Sequence, residues 1–487
     1  MTEGARTPPP APTSAAEGHP ILVGGRWETS DRVLESRTWD GREIGSTFLA
    51  TREQYDAAVE AAVATFATTR RSASFERGDL LRRVSAGITA SADELARLLT
   101  LEAGKPMADS RTEVSRTALA FRIAGEEAER IGGEVLPLDL IETARGRWGI
   151  IRRMPLGPVA AITPFNVPLS LAAHKLAPAL AAGNTIVLKP PSKVPLTLLL
   201  LARIIDEAGA VPGSVSVLPM DRQMGSLMVG DDRFRLLTFT GSAEVGWRMR
   251  AEAGTKRVTL ELGGNAAVIV DESADVDRAV ERVVKGGFKY AGQLCISVQR
   301  CLVHSSLWDE FVPRLVEGAQ SLRVGDPLDE ASDLGPMISE RAAATFVEWV
   351  EEARRDGAEV LCGGTHDGAF AAPTVVTGVP REAKLCAEEA FAPVVVVERF
   401  DEFAEALADV DRGKYGLQAG VFTRDLPRAW RAFEDLDVGA VVINDVPTFR
   451  VDNMPYGGAK QSGLGREGIK YAIEHMTELR MLAYVPE

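Results

Sequence analysis

A thiol, an acid and a carboxamide stand out in this sequence as a set able to act on one carbonyl group: Cys295 in YAGQLCISVQR, Glu261 in LELGGN and Asn166 in AITPFNVPL. A thiol of ordinary pKa, about 8.5, is only a few per cent thiolate near neutrality, so a nucleophilic cysteine needs help from its surroundings. Glu261 offers a carboxylate that can move protons. A side-chain amide such as that of Asn166, aimed at an oxyanion, stabilises a tetrahedral adduct by roughly 3–4 kcal/mol. Together the three describe covalent carbonyl chemistry. Taken alone, a cysteine is more often a small buried apolar residue. The Gly-Gln before Cys295 and the Ser297 after it point instead to a loop or helix start, where exposed N–H groups favour a thiolate. Cys301, Cys362 and Cys386 lie in or beside strand-like runs and are read as packing residues.

The elements that must position this set form an α/β pattern. From Pro158, short apolar runs (VAAITPF, NTIVLKP, SVSVLP, LLTFTGS, RVTLELGG) alternate with the helical stretches SLAAHKLAPALAAG and PLTLLLLARIIDEAG. Apolar strands separated by helices argue for a parallel sheet covered on both faces, which binds ligands at the carboxyl ends of its strands. Asn166, Lys189, Gly241 and Glu261 all fall at such ends. A second α/β pattern begins near Ala266, with AAVIVD, RCLVHSS, PTVVTGV, PVVVVERF, GLQAGVFT and GAVVIND as strands. Ahead of both, ILVGGRWETS and REIGSTFLA read as short strands. Thr51 and Gln54 have capping-box spacing at the first helix of a mostly helical opening. EVLPLDLIETARGRWGIIRRMPLGPV reads as a projecting hairpin suited to a subunit contact, and HMTELRMLAYVPE as an edge strand for a sheet elsewhere.

Bulk properties narrow the classes. The chain has 487 residues, 45% hydrophobic and 25% charged, enough for two or three globular domains. A net charge of −14 with no Lys/Arg cluster excludes a nucleic-acid partner, while a few local arginines can still draw a small anion into a pocket. Four cysteines without a CxxC pair or a ligand-like His spacing indicate a reduced, cytoplasmic protein with no metal site. No apolar run reaches membrane-spanning length, and the first twenty residues read as a disordered tail.

The glycines of FTGSAEVG, Gly241 and Gly246, sit at a strand-to-helix turn where backbone N–H groups can approach a pyrophosphate; a plain tight turn is the competing reading. Lys189 on a neighbouring strand end, able to bond ribose hydroxyls, favours a cofactor. Here the sequence resembles the aldehyde dehydrogenase superfamily: TPFNVPL, GNTIVLKPPSKVPLT, FTGS, LELGGN, GQLC, EEAFAPV and MPYGGAKQSGLGREG occur in the family's order and spacing over roughly residues 20–487. The resemblance implies a Rossmann-type NAD(P)-binding domain (21–134 and 156–263), a catalytic domain (264–455) and a bridging β-hairpin element (135–155 and 469–487) that assembles homodimers or homotetramers. It implies Cys295 as nucleophile, Glu261 as general base, and Asn166 with the Cys295 N–H as oxyanion hole. NAD or NADP would be held by Ile162, Thr163, Pro164, Phe165, Lys189, Ser192, Lys193, Gly225, Phe239, Gly241, Ser242, Val245, Leu262, Gly263, Glu389 and Phe391. The adduct on Cys295 would pass hydride to the nicotinamide, and Glu261 would direct water onto the resulting thioester. An acyl transfer to coenzyme A, for which relatives commonly lack the base, and a catalytically silent dinucleotide-binding protein are the alternatives.

Three departures matter. KPPSK has Ser192 where NAD-restricted relatives have a carboxylate that repels a 2′-phosphate, so NADP is expected to be accepted. EEAFAPV has Ala392 for the usual Gly, expected to tighten that turn. Leu294 gives part of the pocket an apolar wall. The run NDVPTFRVDNMPYGGAKQSGLGREGI is similar to that of relatives acting on lactaldehyde, glyceraldehyde 3-phosphate and phosphonoaldehydes. Arg450, in the loop that shapes the substrate mouth in this family, is suited to bidentate capture of an oxyanion. His174, Arg111, Arg122 and Arg300 are weaker candidates for the substrate. The expected substrate is a short anionic aldehyde, a phosphono- or phospho-aldehyde ahead of a semialdehyde or lactaldehyde.

Overall fold

The structure is a computed structural model and describes residues 18–485. Most of the expected tail lies outside the described residues. Residues 18–20 do not belong to it: the His19 N–H donates to Ser46 O at 2.8 Å, so the chain is already attached there.

The helical opening consists of Arg52–Thr69, Ser74–Ala90, Ala92–Ala103 and Met107–Ala128. Thr51 and Gln54 close the expected capping box at its start. A strand absent from the sequence reading, Val33–Arg37, pairs with Glu43–Phe48; its burial alternates too weakly to mark it.

The first sheet carries the parallel strands β1 (Val159–Ile162), β2 (Ile186–Lys189), β3 (Val215–Val217), β4 (Leu236–Thr240) and β5 (Arg257–Glu261). Helix α1 (Pro168–Ala182) follows β1, α2 (Pro195–Glu207) follows β2 and α3 (Ala243–Glu252) follows β4. In space the strands run β3-β2-β1-β4-β5, so the order reverses between β1 and β4. Loops leaving two neighbouring strands there diverge and open a crevice, the usual ligand position in such sheets. Every residue of α1 is buried, which explains its nearly continuous apolar sequence.

The second sheet holds β6 (Ala266–Val270), β7 (Val298–His304), β8 (Thr374–Thr377), β9 (Val394–Phe400), β10 (Gln418–Phe422) and β11 (Ala440–Ile443), in the order β8-β9-β7-β6-β10-β11. Helix α4 (Val276–Phe288) leads from β6 towards β7. β5 and β6 are joined by only four residues, 262–265, so LELGGN links the two sheets.

Trp148–Pro155 pairs with Gly133–Pro137 on one side and, over eight positions, with Thr477–Tyr484 on the other. The terminal strand therefore joins the hairpin itself. The Ile469–His475 helix before it belongs elsewhere: Ile469 and Ile473 are buried in the core of the first sheet. No helix among the described residues is long and apolar enough to cross a membrane.

Candidate active site

A cavity of about 580 Å³ opens where the two sheets meet, and Asn166, Glu261 and Cys295 all line it. Asn166 follows β1, which borders the reversal of order, and Glu261 ends β5, one strand beyond β4 on the other side of it. Cys295 arrives from the second sheet, in a turn just before β7. LELGGN brings the pieces together by having no side chains where it must not. A Cβ on Gly264 would lie 2.6 Å from Cys295 O, and one on Gly263 would overlap the Glu389 carboxylate. The Asn265 amide then donates to Cys386 O (2.8 Å) and Glu388 O (2.9 Å), tying the same loop to the segment that carries Glu389.

Of the loop or helix start expected for Cys295, the structure has the loop: the residue lies in a turn. The preceding turn takes left-handed conformations at Tyr290 (φ 49°) and Ala291 (φ 51°), which break any helix. The sulfur lies 2.9 Å from Tyr456 Oη and keeps an opening to the cleft. Burial pushes its thiol up to about 11; the Tyr456 hydrogen bond and the Arg450 charge act downwards, and the Glu389 and Glu261 carboxyls upwards. Cys295 therefore favours the thiol form rather than the thiolate that N–H groups alone would favour. The Cys295 backbone N–H has no hydrogen-bond partner among the described residues. Asn166 gives one amide hydrogen to Gln293 O at 3.0 Å, which leaves the second free, and its Oδ1 is buried without a partner.

Both Glu261 oxygens are buried without a hydrogen-bond partner. Burial raises its carboxyl well above the ordinary range, with a further push from Glu467, against the pull of Lys175, Arg450 and Arg466. Glu467 has the opposite fate. Burial would raise it, but Lys175 Nζ at 2.9 Å and Arg450 Nη2 at 3.4 Å hold it ionised. The two buried carboxyls are thus driven apart, Glu261 towards the protonated form and Glu467 towards the ionised one. Sequence reasoning missed Lys175, Glu467, Arg116 and Tyr456, because nothing local marks a buried Lys in an apolar helix or a Tyr in MPYGG as belonging to a site.

Arg450 reaches the cavity, with its side chain 9% exposed. Its guanidinium carbon stands 3.8 Å from the centre of the Tyr456 ring, and its Nε is buried without a partner. The other substrate candidates go elsewhere. His174 is buried behind the cavity and bonds Asp452 at 3.1 Å, supporting that residue rather than facing the cleft. Asp452 also pairs with Arg116, which does line the cavity. Arg111 pairs with Glu330 (2.7 Å) and Arg122 with Glu126 (2.9 Å) on the far side of the Met107–Ala128 helix, beside a separate cavity. Arg300 is buried on β7 between Glu398 (3.1 Å) and Asp409 (2.5 Å), both its carboxylates internal.

Of the cofactor candidates, Pro164, Phe165, Gly241, Ser242, Leu262, Gly263, Glu389 and Phe391 line the same cavity. Ile162 and Phe239 are buried at the ends of β1 and β4, and Val245 lies in the first turn of α3, packed on the core. Lys189 lies across Gly225, where a Cβ would come 2.9 Å from its Cδ and Cε. Ser192 and Lys193 are exposed beyond β2. A dinucleotide fits this edge: Thr163 Oγ1 and Thr240 Oγ1 are buried polar atoms with no partner, and the first N–H groups of α3 follow directly from Gly241 and Ser242. Burial pushes Glu389 up to about 7, against one N–H from Gly264. Phe391 meets Phe165 edge-on, with ring centres 6.0 Å apart. Phe391 itself takes the left-handed conformation (φ 49°); Ala392 does not, so Ala in place of Gly needs no left-handed backbone at that position.

Comparison with known proteins gives a consistent picture. Residues 27–482 match the profile described as "Aldehyde dehydrogenase family". The chain is 41% identical over 464 residues to a 3-sulfolactaldehyde dehydrogenase of Priestia aryabhattai, covering 95% of this chain and 97% of that one. It is similar, at a TM-score of 0.95 and 42% identity over 96% of this chain and 98% of the other, to aldehyde dehydrogenase 21 from Physcomitrella patens in complex with the reaction product succinate. It also resembles the glyceraldehyde-3-phosphate dehydrogenase GapN of Methanocaldococcus jannaschii complexed with NADP (TM-score 0.89, 38% identity, 93% and 99% covered).

Proposed function

The chain belongs to the aldehyde dehydrogenase family, NAD(P)-dependent enzymes that oxidise aldehydes, and from that premise we propose that its substrate is a short aldehyde ending in an oxyanion, a phosphonate or phosphate first. The carrying observation is Arg450: a buried guanidinium in the same cavity as Cys295, with an unpartnered Nε. A buried donor without an acceptor is costly, and an incoming oxyanion supplies one. The three relatives described above are named for a sulfonate substrate, a carboxylate product and a phosphate substrate, which supports an anionic class.

In this reading Cys295 gives its thiol proton to water in the cleft, its Sγ bonds the carbonyl carbon, and the carbonyl oxygen becomes an oxyanion between the free Asn166 amide hydrogen and the Cys295 N–H. The nicotinamide, when bound, supplies the hydride acceptor. Once two electrons have left the adduct, a thioester remains on Cys295. Glu261, in its ionised form, takes a proton from water as the water oxygen bonds the thioester carbon. The C–S bond then breaks, the acid leaves and the sulfur regains a proton. Lys175 and Arg450 neutralise Glu467 next to Glu261, which keeps a second negative charge from opposing that ionisation further.

Ser192 and Lys193 favour acceptance of a 2′-phosphate, so we assign NADP as a usable cofactor. The exposed apolar side chains of the hairpin sheet support a homo-oligomer, and four free cysteines suit a reducing, cytoplasmic setting. The test of the substrate class is kinetic. Phosphonate-, phosphate-, sulfonate- and carboxylate-bearing aldehydes are compared with neutral ones of equal length in the wild type and in Arg450→Met. The anionic aldehydes should lose about 10- to 100-fold in kcat/KM in the variant, the size of a charged hydrogen bond, and the neutral ones much less. Equal losses for both sets would remove the anion from the proposal.

A further inference from the structure

We propose that Tyr456 is a catalytic residue: its phenol O–H donates to the Cys295 sulfur and sustains the thiolate that attacks the aldehyde, while Arg450, stacked on the ring, holds it in line. The inference rests on the reading of Cys295 as nucleophile. The Oη–Sγ separation of 2.9 Å is the only hydrogen bond made by the sulfur among the described residues. Tyr456 is 3% exposed, packed with Ile296 and Leu417, and its backbone is fixed by a reciprocal pair with Glu467 (3.0 and 2.6 Å). Glu467 also binds Arg450 through its carboxylate, so one buried residue fixes both the Tyr456 backbone and the cation on its ring.

The charges around the sulfur explain why a neutral donor is needed. Glu389 and Glu261 face it and oppose a negative sulfur, and Arg450 alone favours one. Arg450 makes no hydrogen bond to sulfur. It lies 3.8 Å from the ring centre, where a cation draws electron density from the phenol and strengthens its O–H as a donor. The phenol does not ionise in this role, since burial and the neighbouring thiol hold its proton firmly. When the S–H bond breaks, the sulfur proton leaves through the open cleft to water and Tyr456 keeps its own. Phenylalanine at this position would fill the same space and leave the sulfur without a partner.

The test is the pH dependence of Cys295 alkylation by iodoacetamide without aldehyde, with Cys295→Ala subtracting the other thiols. In Tyr456→Phe the midpoint should rise by about one unit, with roughly ten-fold slower alkylation below it, as expected for one lost hydrogen bond to a charged group. kcat/KM should fall in parallel while NADP affinity and the thermal midpoint stay unchanged. A superimposable or lowered alkylation profile would overturn the proposal while leaving Cys295 as nucleophile. Turnover that survives in Cys295→Ala would defeat the underlying reading instead. Tyr456→His, which restores a ring N–H, should give an intermediate profile; a profile identical to that of the Phe variant would reduce the phenol to packing and equally overturn the assignment.

Discussion

Single residues at this site are distinguished by the company their charges keep. Glu261 and Glu467 are both buried glutamates, yet one lacks a hydrogen-bond partner and the other has two cations. Environment therefore separates their proton affinities and assigns them different work. The same reasoning applies at the cofactor edge. Ser192 is exposed beside Lys193, and its hydroxyl carries no charge to repel a 2′-phosphate. Ser192→Glu should shift the ratio of kcat/KM values towards NAD by at least ten-fold, read from initial rates with each cofactor; an unchanged ratio would show that discrimination lies elsewhere. Cys295, Glu261 and Asn166 were legible because each sits in a distinctive local phrase. Tyr456, Lys175, Glu467 and Arg116 were not, because their roles exist only through partners distant in the chain. Arg111, Arg122 and Arg300 show the converse: an arginine is recognised by type, but its carboxylate partners are set by the fold.

At the scale of elements, α1 packs its whole circumference and still carries a lysine. Lys175 Nζ is satisfied by Glu467 and by Thr238 Oγ1, each at 2.9 Å. Removing one partner of a buried pair leaves an uncompensated charge, so Lys175→Met should lower unfolding free energy by about 3–5 kcal/mol at neutral pH, measured by urea unfolding. The sign with pH follows from Glu467, whose folded pKa is depressed. Its contribution is present above the ordinary carboxylate pKa, about 4.3, and is lost as pH falls through the depressed folded value. The gap between wild type and variant should therefore narrow in acid; a gap constant with pH would contradict the pairing. The parallel strands and α1 were readable from apolar runs. The Val33–Arg37 strand was not, since it is a mostly exposed partner in a two-stranded ribbon.

At the scale of the molecule, the hairpin sheet exposes a run of large apolar side chains. Val135 is 70% exposed, Leu482 66%, Leu479 63% and Met481 54%, all in the same three strands. Its Trp148 and Tyr484 rings lie 5.2 Å apart. An apolar sheet with two free edges invites a second copy. Leu479→Glu with Met481→Glu should convert an oligomer into a smaller species in light scattering; a wild-type mass equal to that of the variant would contradict the assembly. The two sheets were separable in the sequence, but their meeting at Gly263 and Gly264 was not, because the close approach depends on side chains that glycine lacks.

An acyl group that passes through Cys295 and leaves by the action of Glu261 should be trapped on the sulfur when the base is removed. The most direct measurement is peptide mass mapping of Glu261→Gln after brief mixing with NADP and a short anionic aldehyde, with absorbance recorded alongside. The account predicts a burst of reduced cofactor close to one per site and an acyl mass retained on the Cys295 peptide. A steady wild-type rate, or an acyl group found on another residue, would contradict it.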